Sequence, residues 1–588
     1  MFYRALSASP VRARRARPVL ALAAVAFATG AIVGANRTAS PANSLASSFV
    51  AAWTRGDYTS MYLDVDPATR RTVSPAEFVS AYRKALRTAT ATASSVAGGA
   101  HNLPGGVVEV PVRVRTKLFG VLKLALRVRF SEAQGRTRIA WSPSLAFPGL
   151  QPGEMLARRT ALPPRATLLA RDGSVLAEGS ARGAGQRASP LGAVASAVPG
   201  DVAPPEGGRR LALEAQGVPP DAIVGERGLE RALDARLRGA PGGELLAVPT
   251  GAEAGGRVLA SAVAHPAAAL RTTISPTLER AAVTALGGRY GGVVAMKPAT
   301  GEILAVAGIG IDSVQPPGST FKLVTAAAAL ESGITPNTLF SNPAQLDLPQ
   351  TNHALQNFGG EHCLGGAAQI TLAQAFQVSC NVVFGQVGLK IGADALVTQA
   401  QKFGFDGSVP FQLPWAEGQI PQAGDFAQAL PALAFSAIGQ EDVLANPLQM
   451  ALVAGAVAHH GIEMAPRVIS EIRDPSGRVV RKVDPVEYGE PISVTTASEL
   501  TTMMVSVVQA GTGTAAQIPG ITVAGKTGTA QTAGGSPHAW FVCFAPAEHP
   551  QIVVAVVVLN GGSLGSEATG GHVAAPIARA VLEAALRG

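Results

Sequence analysis

The chain has 588 residues, 47% of them hydrophobic and 15% charged, a balance that suits folded domains and excludes a disordered polymer. At this length two to four domains are expected rather than one core. The net charge of +8 gathers at the front, where residues 1–37 hold six arginines and no acid, so no folded basic face is indicated and nucleic acid is not an expected partner.

Residues 1–18 read as a basic leader, with Arg12, Arg14, Arg15 and Arg17 ahead of an uncharged apolar run at 19–35. That run is long enough to cross a bilayer as one helix. The arginines hold their side cytoplasmic, which would place everything after Asn36 outside the membrane. A signal peptide cleaved after Val33-Gly34-Ala35 is the alternative. No cysteine lies near the run, so a lipid-modified cysteine is not expected.

Residues 44–150 open with an amphipathic helix at 45–53, a turn at Gly56-Asp57 and a second helix near 75–86. Alternating segments follow at 107–114 and 122–130, whose period of two predicts strands. Helices followed by a curved antiparallel sheet make a small α+β domain. Residues 151–274 are rich in Pro and Gly. Residues 165–177 read as two short strands around the turn Asp172-Gly173. No catalysis is assigned to this segment.

From about 275 to 588 the pattern sharpens. A hairpin is predicted at 292–307, helices from Ser319 to about Gly461, strands at 521–524, 540–544 and 552–559, and a closing helix at 574–586. A central antiparallel sheet built from both ends of the domain, with a helical insert between, fits this order. The whole is a multidomain α+β chain.

Three short stretches carry the chemistry. Ser319-Thr320-Phe321-Lys322 follows Pro316-Pro317-Gly318 and opens an apolar helix ending at Gly333, which puts Ser319 and Lys322 on one helical face. A serine hydroxyl becomes a nucleophile when something removes its proton. A lysine can do so when apolar surroundings and a nearby cation, such as Lys526, disfavour its charge. Ser379-Cys380-Asn381 follows a predicted helix at 372–377; alone it would be a turn or a cap. Lys526-Thr527-Gly528-Thr529 is predicted to lie at the end of the strand 521–524, where an extended chain can align a peptide. Only nine lysines occur in the chain, and two fall in these stretches.

In this order, Ser-x-x-Lys, Ser-x-Asn and Lys-Thr-Gly resemble the signature of penicillin-recognising acyl-serine enzymes. The opening Phe-Val-Ala-Ala-Trp-Thr-Arg-Gly-Asp-Tyr resembles the NTF2-like domain of some penicillin-binding proteins, and 151–274 resembles their pedestal. Nothing before 275 resembles a glycan polymerase. Together these features resemble a class B penicillin-binding protein, with a transpeptidase domain at 275–588.

The resemblance implies that Ser319 attacks a D-Ala–D-Ala stem peptide, with Lys322 as its base. Ser379 would relay a proton, and Asn381 would bind the substrate backbone. Lys526, Thr527 and Thr529 would hold the terminal carboxylate, and Gly528 would leave room for close approach. It also implies an oxyanion hole from the backbone N–H groups of Ser319 and Thr529, no metal or organic cofactor, inhibition by β-lactams, and a multi-pass glycan polymerase as membrane partner. A D,D-carboxypeptidase or β-lactamase-like hydrolase, or a β-lactam sensor that acylates without turnover, remain the alternatives.

Smaller features are read plainly. His459-His460 is expected to be a loop pair, because no third ligand is spaced for a metal. His538 is expected at a strand start. The stretch 438–450 resembles a family segment written Gly-Gln-Gly, with Glu441 in place of the last Gly, so the local turn is expected to differ. Of Cys363, Cys380 and Cys543, small buried side chains are the expected state and a Cys363–Cys380 bridge the alternative.

Overall fold

The computed structural model describes residues 40–179, 184–185, 187–192, 198–252, 255–532, 535–567 and 569–587. The apolar run at 19–35 lies outside them, and no helix among the described residues is long and apolar enough to cross a membrane.

The N-terminal unit begins with the helix Pro41–Arg55, ended by Gly56 in the left-handed conformation. Two short helices not expected from periodicity, Tyr58–Asp64 and Pro67–Thr72, follow before Pro75–Thr88. They were missed because caps, not amphipathic stripes, define them: Asp57 and Asp66 accept backbone N–H bonds at their first turns. Ser74 and Glu77 form a capping box on the fourth helix. The strand Val107–Thr116 buries alternate residues and pairs with Ala91–Val96, His101–Leu103 and Val121–Val128. Phe49, Trp53, Phe78 and Tyr82 fill the space between helices and sheet, with Trp141 Nε1 donating to the Tyr82 hydroxyl at 3.0 Å.

A three-stranded sheet (Glu154–Ala161, Gly242–Pro249, Arg257–Ala262) lies against that core and contributes Leu245 and Ala247 to it. Beyond it, the strands Leu168–Leu169 and Val175–Ala177 pair around the Asp172-Gly173 turn. They continue through Ala269–Thr272 into Ile469–Arg473 and Val479–Lys482, so one sheet joins the pedestal segment to the C-terminal part of the chain. A buried ionic cluster braces this segment. Arg165 contacts Glu230 and Asp234 at 2.6 and 2.9 Å, and Arg187 contacts Glu230 at 2.6 Å. Such a cluster fixes geometry more than it adds stability.

The C-terminal part is organised by a five-stranded antiparallel sheet in the order Glu302–Gly308, Gly291–Lys297, Ile552–Val558, His538–Ala545, Ala524–Ala530. Ile552–Val558 is buried along its whole length, as its β-branched composition demands of a strand covered on both faces. One face carries the helices Pro276–Leu286 and Ala575–Leu586. The other carries the large helical insert, whose core includes Phe321, Phe376, Phe384 and Leu452.

Three expectations need correction. The strand before the third motif starts at Ala524 and runs through it to Ala530, instead of ending at 524. Periodicity hid this because Gly, Lys and Thr do not read as core, yet Lys526 and Gly528 are buried here. Ser319 does not sit in the α-helix itself: a 3-10 turn, Gly318–Phe321, precedes the helix Lys322–Glu331. Cys363 and Cys380 form a disulfide with a Cα separation of 6.0 Å, and Cys543 alone remains a free buried thiol. Chain folding, which periodicity does not report, brings Cys363 back beside the second motif.

Candidate active site

The three motifs converge on one cleft of about 1040 Å³, lined by Ser319, Ser379, Asn381, Thr527 and Thr529 among others. Ser319 is half-buried, and its Oγ makes no hydrogen bond with any described residue. The turn that carries it is squeezed between two backbones. Gly318 has φ 52°, and a Cβ there would fall 2.7 Å from Thr529 O. A Cβ on Gly528 would fall 2.8 Å from Pro317 O, so both glycines let the Ser319 turn press onto the strand.

Two lysines of the motifs are fully buried. Lys322 Nζ donates to Ser379 O at 2.7 Å and Asn381 Oδ1 at 2.7 Å, and stands 3.4 Å from Ser379 Oγ. Lys526 Nζ donates to Ser379 Oγ at 2.8 Å and Thr527 O at 2.9 Å. Both ammonium positions face aromatic rings, Lys322 over Phe384 at 5.4 Å and Lys526 over Phe376 at 5.5 Å. Those ring faces favour the cations, but burial outweighs them. Burial pushes Lys526 down to about 7. Lys322 falls well below the ordinary lysine value, first through burial and then through the charge of Lys526.

Ser379 bridges the helices Leu372–Gln377 and Asn381–Lys402 with φ 61°, a left-handed conformation uncommon for serine. The turn carries its hydroxyl between the two amines. Asn381 has both ends of its amide engaged, with Oδ1 on Lys322 and Nδ2 donating to Gln356 O at 3.0 Å. The amide so placed holds Lys322.

Four supporting residues lie outside the three motifs. Asn357 Oδ1 accepts the N–H groups of Asn381 and Val382, capping their helix from 24 residues away. Asn342 ties down the loop around Cys363. Thr512 Oγ1 lies 2.6 Å from Thr527 Oγ1. Gly439 O accepts from Gly318 N–H at 2.9 Å and anchors the turn that carries Ser319. The Cys363–Cys380 pair was the one sequence signal pointing to this layer.

The remaining candidates fall elsewhere. Glu441 sits at a left-handed φ of 58°, a conformation that costs strain for any residue but glycine. It does not line the cleft, whereas Gln440 does. Asn446 caps the helix Pro447–Ala458. His538 begins a strand, and its Nδ1 accepts from Asn560 N–H. No group of three His, Cys, Asp or Glu among the described residues is gathered to hold a metal ion.

A serine in a cleft, with two buried lysines whose charge is disfavoured and which share one hydroxyl, is an arrangement that can support acyl transfer. The penicillin binding protein transpeptidase domain model matches residues 291–583, and the NTF2-like N-terminal transpeptidase domain model matches 41–154. The peptidoglycan D,D-transpeptidase PbpA of Mycolicibacterium smegmatis is 36% identical over 409 residues, spanning 61% of this chain and 79% of that protein. Its namesake in Mycobacterium tuberculosis is 36% identical over 361 residues, 54% of this chain and 72% of that one. A solved ceftriaxone acyl-enzyme complex of penicillin-binding protein A from M. tuberculosis matches with a TM-score of 0.60 at 30% identity, covering 72% of this chain and 98% of that one. This chain belongs to the class B penicillin-binding proteins.

Proposed function

We infer that this protein is a serine-type peptidoglycan D,D-transpeptidase that β-lactams acylate at Ser319. The observation that carries the reading is the meeting of Lys322 and Lys526 at the Ser379 hydroxyl, in the cleft that Ser319 also lines.

A neutral amine has two N–H groups and one lone pair. In Lys322 the two short bonds, to Ser379 O and Asn381 Oδ1, use both donors. The lone pair is left to accept the proton of Ser319 as Oγ attacks the penultimate D-Ala carbonyl. The backbone N–H groups of Ser319 and Thr529 would receive the oxyanion. Lys322 returns that proton through the Ser379 hydroxyl to the leaving nitrogen, and D-Ala departs. When charged, Lys526 has a third N–H to spare beyond Ser379 Oγ and Thr527 O, and with the hydroxyls of Thr527 and Thr529 it holds the substrate carboxylate. The acyl-serine then passes to an amine of a neighbouring strand.

The unit boundaries at 44–150, 151–274 and 275–588, a single membrane anchor at 19–35 with the N-terminus cytoplasmic, and a multi-pass glycan polymerase as partner complete the proposal. The basic leader ahead of the apolar run supports the orientation. Fluorescent penicillin should label the full chain and fail to label Ser319→Ala; labelling that survives that substitution would sink the assignment. With lipid-linked substrate, cross-linked dimers are the expected product, and free tetrapeptide alone would mark a carboxypeptidase instead.

A further inference from the structure

The cleft offers more room than one peptide end needs. Its volume, about 1040 Å³, lies at the upper end for pockets that enclose a single drug-sized ligand. Two buried lysines stand behind its second and third motifs, and two histidines, His362 and His572, line it. Among the described lining residues none is Lys or Arg, and Glu361 is the one carboxylate.

Glu361 is exposed, yet the segment that bears it is held at both ends. Asn357 Nδ2 donates to Glu361 O at 2.9 Å, while its Oδ1 accepts from Asn381 N–H at 2.9 Å. Asn342 Nδ2 donates to Cys363 O and Ala367 O at 2.7 and 2.8 Å. The Cys363–Cys380 bridge then fastens the segment covalently to the residue between Ser379 and Asn381. A carboxylate at the mouth of the cleft is thereby kept in register with the second motif.

We propose that Glu361 is the recognition group of an acceptor subsite, drawing the primary ammonium of the incoming strand to the mouth of the cleft that holds the acyl-serine. The proposal rests on the transpeptidase reading. A transpeptidase must favour a dilute amine over abundant water, and an anion lining the same cleft as Ser319 raises the local concentration of a cationic acceptor. Once the ammonium has released a proton to solvent, its nitrogen attacks the ester carbonyl. The C–N bond forms, the C–Oγ bond breaks, and the second proton of the nitrogen passes by way of Lys322 to Ser319 Oγ. Amide and free serine result.

The test uses the full chain, a D-alanyl thioester donor and a peptide acceptor bearing one primary amine. In Glu361→Gln the acceptor KM should rise about fivefold, the effect of one exposed charge pair, with kcat at saturating acceptor retained. Glu361→Lys should raise it further. The change should sit in the acceptor KM rather than in the penicillin acylation rate. Added salt should raise the acceptor KM of the unmodified chain but not that of Glu361→Gln. An acceptor KM unmoved in both variants would overturn the proposal, as would a loss in penicillin acylation equal to the change in acceptor KM. Absence of Ser319 labelling in the unmodified chain would overturn the transpeptidase reading, and this one with it.

Discussion

Two buried amines joined through one hydroxyl cannot both hold their protons at ordinary cost. Lys322 is depressed first by burial and second by the Lys526 charge. Removing that charge in Lys526→Met should let Lys322 keep its proton to higher pH. Protonated Lys322 cannot accept the Ser319 proton, so the acidic limb of the penicillin acylation profile should move to higher pH. The rate should also fall about 10²-fold through loss of a donor to the substrate carboxylate. A profile unchanged in shape would remove Lys526 from control of Lys322. These residues were legible in advance because Ser-x-x-Lys, Ser-x-Asn and Lys-Thr-Gly are local patterns. Asn381 shows where legibility stopped: its contact with Lys322 spans 59 residues and follows from packing alone.

The elements that carry the motifs are fixed by contacts that no periodicity reports. The turn at Ser379, the helix start at Asn381 and the loop at Cys363 are bound together by Asn357 and the disulfide. The bridge closes a sequence separation of 17, for which chain entropy gives about 3 kcal/mol. Cys363→Ala should therefore lower the Tm and slow penicillin acylation, and reduced unmodified protein should match it in both. A Tm indifferent to reduction would deny the bridge any structural weight. The strand Ala524–Ala530 makes the same point differently. Its Lys, Thr and Gly residues look like loop, yet seven paired positions with His538–Ala545 make it the edge strand of the sheet.

Across the whole molecule, internal charge is met either by pairing, as between Arg165 and Glu230, or by burial that disfavours ionisation. Glu463 is buried, neither of its carboxylate oxygens has a partner among the described residues, and burial pushes it up to about 8. A carboxyl raised in the folded state contributes most below its unfolded value of 4.5, and that contribution is lost as pH rises through about 8. Glu463→Gln should raise the Tm at pH 8 and leave it nearly unchanged at pH 5; an equal shift at both would rule out ionisation as the cause. Local pattern was enough for the α+β succession, the hairpin at 292–307 and the three motifs, because strand alternation and motif spacing are short-range properties. The meeting of those motifs in one cleft, the neutralising burial of the lysines and the bridge that pins the Glu361 loop needed the folded chain. Each depends on groups brought together from tens to hundreds of residues apart, and only packing around a common sheet sets their distance and their dielectric surroundings.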